Sequence, residues 1–460
     1  MAPLPMSVTF LGTSSGGGPS LMRNCSSLLA DVQSNGQLWM VDCAEGTTRQ
    51  FQFQPQPAYG APDSRVKIQK VEKIFITHMH ADHIMGIIPV LRNVLYPPPN
   101  PALEPRPRKE DPAVEIYGPK GIREFVRANM KMTFTNTADR YVVHELLTAT
   151  DEPTSCMDED RHGSEDVGKD IRCDAESTWR GFISTPTITV DAGPIHHREP
   201  CLGFIFRRID VTPERTIAIL GDTFDPTPIT QLLTAPHAPP ELLIHEATDA
   251  YIPNTIDPRA SRDEATVAQA ALFRGHSTPV QAGQFARLVG AKRLVLNHIG
   301  SRFVSPGPNM GYRAKEIRQA VLLELERQAG EAWGAGMAAA VAHDFMRVTV
   351  PLNDVVVAWP DEEPNMNPEY LRAIQQSAAA NQYTPRSLEQ EQRPPRQNQY
   401  QRGQNERQKE PPREPREHRQ YHTNTRRDGD RREPQQRDYP RRDRQYGGPY
   451  NGRSHSPPRR

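Results

Sequence analysis

Residues 75–87, FITHMHADHIMGI, place His78, His80, Asp82 and His83 within six positions, directly after an apolar run. This stretch constrains the fold more than any other. Neutral imidazole and carboxylate are the ordinary ligands of divalent transition metals, zinc above all. One such cluster supplies only part of a coordination shell. The chain therefore has to fold so that donors from distant positions converge on this turn.

The surrounding pattern provides such a scaffold. SVTFLGT (7–13), QLWMVDC (37–43) and KIFIT (73–77) are short apolar runs that predict buried strands, and the third leads straight into the cluster. VEIYGP (114–119) predicts another, followed by a helix in KGIREFVRANMK. TIAIL (216–220), ELLIH (241–245) and RLVLNH (293–298) each end beside a charged or imidazole side chain. Between the last two, TPVQAGQFARLVGA has helical spacing, with Thr278 as N-cap and Pro279 at the first helical position. DFMRVTVPL (344–352) predicts a closing strand. Strands alternating with helices indicate an α/β layer fold, in which polar side chains at strand ends form the usual site.

Composition divides the chain. Lys+Arg and Asp+Glu balance at 56 each over 460 residues, yet from Asn381 onward about twenty basic residues face about eleven acids. That stretch, rich in Arg, Gln, Pro, Asn and Tyr, has too little apolar surface to offset ordering its backbone. The expected organisation is a hydrolase-like domain over 1–355 and a disordered basic tail over 356–460. Tyr383, Tyr400, Tyr421, Tyr439, Tyr446 and Tyr450 interleave with the arginines, which suits phosphate contact and base stacking of modest strength. Residues 150–178 are acidic with little apolar pattern and predict an exposed insertion loop. No 18-residue apolar run exists, so no membrane span is expected. MAPLPMSVTFLGT enters a strand at once, leaving no room for a signal or transit peptide, and a nuclear or cytoplasmic location is expected. Five scattered cysteines, without CxxC spacing, speak against a disulfide framework or a cysteine-type zinc site.

Further donors occur where the first cluster needs them: His196 and His197 in GPIHHREPCLGF, Asp222 in AILGDTFD, His245 and Glu246 in LIHEATD, His276 in RGHSTPVQAG and His298 in LVLNHIGSRF. Together with FLGTSS, VDCAEGTTRQ and YGPKGIREF, in this order, these motifs resemble the metallo-β-lactamase superfamily. Within it they resemble ribonuclease Z, the zinc endonuclease that trims the 3′ trailer from precursor tRNA.

The resemblance implies a four-layer αβ/βα sandwich and two zinc ions per chain, with manganese as an alternative. His78, His80 and His197 would hold one ion and Asp82, His83 and His298 the other, with Asp222 bridging. His197 is preferred to His196 because the family's ligand lies six residues before the glycine matched by Gly203. Asp82 would also act as base, and His276 paired with Glu246 would protonate the departing oxygen. Adjacent strand residues point to opposite sides, so if Glu246 faces the site His245 faces a helix. His144, His162, His237 and His343 are read as structural or solvated. Arg23, Asn24 and Arg302 are candidates for substrate phosphate, and the glycine run GTSSGGGPS is either a phosphate cradle or a turn. The implied partner is RNA, precursor tRNA in particular, and a homodimer is compatible with the family.

Two features depart from the family pattern. Gly203 and Asp222 are only about nineteen residues apart, which leaves no room for the family's tRNA-gripping arm. The family's PxKxRN loop reads PSLMRN at 19–24, with Leu21 in place of lysine. Alternatives therefore stand beside a tRNA 3′-endonuclease: a di-zinc phosphodiesterase acting on other RNA or small phosphodiesters, and a non-catalytic RNA-binding protein with a relic metal site.

Overall fold

The computed structural model describes residues 4–56, 65–95 and 110–353. The basic tail expected over 356–460 lies outside the described residues. Chain order gives β1 (Met6–Gly12), β2 (Ser27–Asp31), β3 (Leu38–Cys43), β4 (Val71–Phe75), β5 (Val114–Pro119), β6 (Tyr141–Leu147), β7 (Glu165–Asp166) and β8 (Asp170–Arg172). Then follow β9 (Trp179–Ser184), β10 (Ile188–Ile195), β11 (Cys201–Arg208), β12 (Arg215–Leu220), β13 (Leu242–Glu246), β14 (Leu294–Asn297), β15 (Ala339–Val341) and β16 (Arg347–Val350). The first sheet runs β16-β1-β2-β3-β4-β5-β6-β7 with β8 also on β6, and the second runs β15-β14-β13-β12-β11-β10-β9. The last strand thus crosses back to pair antiparallel with the first, Met6 opposite Val350.

Period-two alternation explains how the sheets stack. In β4, Phe75 points between the sheets and Ile74 points outward; in β11, Phe204 and Phe206 point inward and Ile205 outward. The inner layer is aromatic, with Phe75 ring centroids 5.3 Å from Phe204 and 5.2 Å from Phe206. Truncating such a ring to alanine costs about 3–5 kcal/mol. Outside the first sheet, Ile74, Ile87, Leu91 and Val126 form a second apolar layer beneath α1 (Thr47–Phe53), α2 (Ala81–Ile84), α3 (Ile87–Val94) and α4 (Ile122–Met132). Outside the second sheet, α6 (Pro279–Leu288) and α7 (Tyr312–Trp333) complete the stack, with Phe285, Leu325 and Trp333 in a third layer, and α5 (Glu264–Phe273) precedes them in the chain. This is the expected four-layer α/β sandwich. Thr278 caps α6 as expected, closing a reciprocal capping box with Gln281 behind Pro279.

The expectation for 150–178 requires correction. Much of the segment is exposed, but it does not hang free: Glu165–Asp166 and Asp170–Arg172 pair parallel to β6. Its acids meet buried arginines of α4. Arg127 Nη2 lies 2.7 Å from Glu165 and Arg123 Nη1 lies 2.8 Å from Asp170. Two of its acids, Glu165 and Asp170, are thus counter-charges of Arg127 and Arg123, while others such as Glu152 and Asp158 are exposed as expected. Among the described residues, no helix is long and apolar enough to cross a membrane.

Candidate metal centre

The two sheets bring their strand ends together at one edge, and the imidazoles and carboxylates of both halves meet there. β4 ends at Phe75, and the chain turns through Thr77–His80 into the short helix that carries Asp82 and His83. His78, His80, His197 and Asp222 have ligand atoms within 4.8 Å of one another, as do Asp82, His83 and His298. Asp222 also belongs with His276 and His298. Its Oδ2 lies 3.7 Å from His78 Nε2 and 3.6 Å from His83 Nε2, and its Oδ1 lies 3.3 Å from His298 Nδ1. It therefore faces both triplets. Gly221, just before it, packs so closely that a Cβ would stand 2.6 Å from both Thr77 and Cys201.

Four of the five candidate ligand imidazoles are aimed by a second contact. His78 Nδ1 meets Thr77 Oγ1 at 3.0 Å, and His83 Nδ1 donates to Asp42 Oδ2 at 2.7 Å. His197 Nδ1 donates to the Gly275 carbonyl at 2.6 Å, and His298 Nδ1 pairs with Thr248 Oγ1 at 2.9 Å. Fixing one ring nitrogen in this way leaves the other for a metal. His83 Nε2 is the sharpest case: it is buried and has no hydrogen-bond partner. Asp42 (φ 56°) and His298 (φ 52°) both hold left-handed backbone, strain of the kind concentrated at functional sites.

The electrostatics favour bound positive charge. Burial pushes His78, His80 and His197 below the usual imidazole range, keeping them neutral as ligation requires. At His83 burial opposes charge, but Asp222 and Asp42 outweigh it and raise the ring's proton affinity. At Asp82 burial opposes charge too, and His298 and His83 hold the carboxyl well below its ordinary range. An orphaned imidazole nitrogen facing two carboxylates, ringed by neutral histidines, fits divalent metal.

Beside this cluster, Glu246 Oε1 accepts from His276 Nδ1 at 3.0 Å and from the Thr223 N–H at 2.8 Å, while Oε2 accepts from Thr248 Oγ1 at 2.6 Å. Burial resists a charged His276, yet Glu246 prevails and raises its pKa. His245 turns away, as alternation predicts, and packs on Phe285 of α6 with ring centroids 5.8 Å apart. His196 likewise stands outside, exposed and paired with Asp225.

Two substrate candidates do not survive the structure. Arg23 is 3 % exposed, and its Nη1 donates to Thr13 Oγ1 and the Ala342 carbonyl. Asn24 is buried as well, with its side chain on the Glu45 carbonyl and its backbone N–H on Asp344. Burial sets both apart from substrate, and the bonds from Arg23 Nη1 and the Asn24 N–H join the start of the chain to its last described segment, with Arg23 Nε and Nη2 left without a partner. Arg302 stays half-exposed, 3.4 Å from Asp249. In the glycine run, the Gly16 N–H donates to Asp82 Oδ2 at 2.8 Å, so this part of the loop orients a ligand. Sequence reasoning gave no role to Asp42, Thr248 or Gly16. Asp42 and Gly16 lie in the motifs VDCAEG and FLGTSSG, and Thr248 is the last residue of HEAT.

The model of the beta-lactamase superfamily domain matches residues 39–299, more than half of the chain. Ribonuclease BN of Cronobacter sakazakii is 32% identical over 370 residues, covering 75% of this chain and all of that protein. Bovine zinc phosphodiesterase ELAC protein 1 is 28% identical over 406 residues, covering 76% of this chain and 99% of its own. The crystal structure of human tRNase Z, short form, superposes with a TM-score of 0.50 at 29% identity, over 75% of this chain and 99% of that one. On these matches and this donor set, the chain belongs to the metallo-β-lactamase superfamily and, within it, to the ribonuclease Z family.

Proposed function

We propose that this hydrolase is a di-metal endoribonuclease that removes the 3′ trailer from precursor tRNA. The observation that carries the reading is Asp222, whose two oxygens face both imidazole triplets beside the Glu246–His276 pair. His78, His80 and His197 would hold one ion and Asp82, His83 and His298 the other, with Asp222 placed to serve both. Divalent ions held there, zinc first, supply Lewis acidity to the phosphoryl oxygens and bring the pKa of water toward neutrality.

The chain's own residues do the rest. Asp82, oriented by the Gly16 N–H, positions the attacking water and accepts its proton. A bond forms from the water oxygen to phosphorus, and the bond from phosphorus to the 3′-oxygen breaks. His276, kept protonated by Glu246, gives its proton to that departing oxygen. The products are a tRNA with a 3′-hydroxyl and a trailer with a 5′-phosphate.

A second reading, a phosphodiesterase for other RNA or small phosphodiesters, is favoured by the periphery. β11 and β12 join through a plain six-residue turn (209–214), and Leu21, where the family has lysine, is 87% exposed. Purified protein incubated with 3′-extended precursor tRNA separates the two. A single cut at the 3′ end of the tRNA body, with the stated end groups, supports the first. Hydrolysis of a small phosphodiester alone leaves the second. Repeating the assay at two ionic strengths after truncation at Pro360 tests the tail as the RNA grip. Loss of the tail is expected to raise KM and flatten the salt dependence.

A further inference from the structure

Arg198 follows His197 directly and is exposed at the mouth of the metal centre. Its Cγ packs over Gly275, where a Cβ would stand 2.9 Å from it and 3.1 Å from its backbone nitrogen. Gly275, at φ +78°, immediately precedes His276. The stem of Arg198 is thereby pinned between the loop of His197 and the loop of the proton donor.

No carboxylate among the described residues forms an ion pair with Arg198. The neighbouring arginines differ. Arg262 grips Asp249 through two contacts of 2.8 and 2.7 Å, Arg302 lies 3.4 Å from the same carboxylate, and Arg274 lies 4.0 Å from it. Asp249 draws on all three of those charges. Arg198, exposed and with no such carboxylate partner among the described residues, leaves its guanidinium open to an anion. A guanidinium offers parallel donors that match two phosphoryl oxygens.

We propose that Arg198 is a substrate-contacting residue whose guanidinium binds non-bridging oxygens of the scissile phosphate on the side of the departing 3′-oxygen. This rests on the phosphodiesterase reading above but not on the identity of the RNA. After cleavage the same phosphorus is the 5′-phosphate of the trailer, so binding can be measured without turnover.

The test compares a 5′-phosphorylated trinucleotide with its unphosphorylated twin, titrated into the metal-loaded full chain. In Arg198→Ala, affinity for the phosphorylated form is expected to fall about 10–100-fold, as for loss of a charge-assisted hydrogen bond. The twin should bind unchanged. Arg198→Lys should recover part of the loss, since it restores charge without the fork. Equal affinity of wild type and Arg198→Ala for the phosphorylated form overturns the contact. So does loss of metal from Arg198→Ala, which would show the residue acting through His197. A wild type that prefers the phosphorylated form yet leaves precursor tRNA uncut sinks the proposed reaction and leaves the Arg198 contact standing.

Discussion

The first sheet supplies His78, His80, Asp82 and His83 from six consecutive positions, whereas the second supplies His197, Asp222, His276 and His298 singly, from four separate loops. The first set is held together by covalent proximity and by the helix start at Ala81. The second depends on register: β10 pairs with β11, β11 with β12, and β12 with β13 and β13 with β14 in parallel, so that the loops of His197, Asp222 and His298 end at one edge, while His276 comes from the turn between α5 and α6. Support differs as well. In the first half a charged carboxylate, Asp42, aims His83. In the second a hydroxyl, Thr248, aims His298 and a backbone carbonyl, Gly275, aims His197. A local cluster tolerates motion of the rest of the fold, and a dispersed one reports on it.

Asp222→Ala breaks the comparison most completely, because Asp222 is the carboxylate that faces imidazoles of both halves. Metal content is expected to fall, and turnover should drop by well over the about 100-fold typical of losing a supporting contact. Metal analysis together with phosphodiester hydrolysis checks this. Retention of wild-type metal content would mean that each half binds its ion alone.

His276→Ala comes next and touches only the second half. Turnover of an RNA substrate should fall about 10²–10⁴-fold while metal content holds, since the residue moves a proton. With a nitrophenolate leaving group, which departs unprotonated, the defect should largely vanish. An equal defect on both substrates would remove the proton-donor role.

The supports give a smaller, directly comparative pair. Asp42→Asn should weaken metal affinity about 10–100-fold, because it removes the charge that raises the basicity of His83. Thr248→Val, which takes a neutral hydrogen bond from His298 and another from Glu246 Oε2, should weaken it by less, on the order of 10-fold. Competitive titration with a chelator ranks the two. The reverse ranking would show that the dispersed half needs its supports more than the local one.

Legibility in the sequence follows the same division. His78, His80, Asp82 and His83 stand out because their partnership is written within one turn. The α/β class was readable too, since apolar runs such as KIFIT and the helical spacing between them are local, while the four-layer order came with the family resemblance. The dispersed ligands were located through the family resemblance, which chose His197 over an adjacent His196 that no local pattern separates from it. What stayed hidden is contact across long separations. Asn24 meets Asp344 across 320 positions and Gly16 meets Asp82 across 66, so Arg23 and Asn24 looked free and Gly16 looked like a bare turn. The acids of 150–178 suggested an exposed loop for the same reason, because Arg123 and Arg127 lie in an earlier helix.

Asp344 offers the mildest test, at a second junction that contributes none of the candidate metal ligands. It lies where the chain crosses from β15 in the second sheet to β16 in the first, and its carboxylate accepts from Thr13 Oγ1, the Asn24 N–H and Gln50 Nε2 at 2.8, 2.7 and 2.7 Å. Burial raises this carboxyl from 3.8 to about 6, more than Arg23 and the hydrogen bonds lower it. The folded state thus holds the proton more tightly than the unfolded chain. The associated stability is complete below about pH 4 and is lost as pH rises through about 6, by at most about 3 kcal/mol. The side chain introduced by Asp344→Asn is permanently neutral and can place its amide toward Thr13 while its oxygen still accepts from Asn24 and Gln50. Buried His343 titrates in both proteins and cancels in their difference. Urea unfolding of the two between pH 4 and pH 7 should therefore show the variant gaining relative to wild type as pH rises, with turnover unchanged. Parallel stability curves would mean that Asp344 ionises normally, and that the crossing between sheets, unlike the metal centre, stores no electrostatic cost.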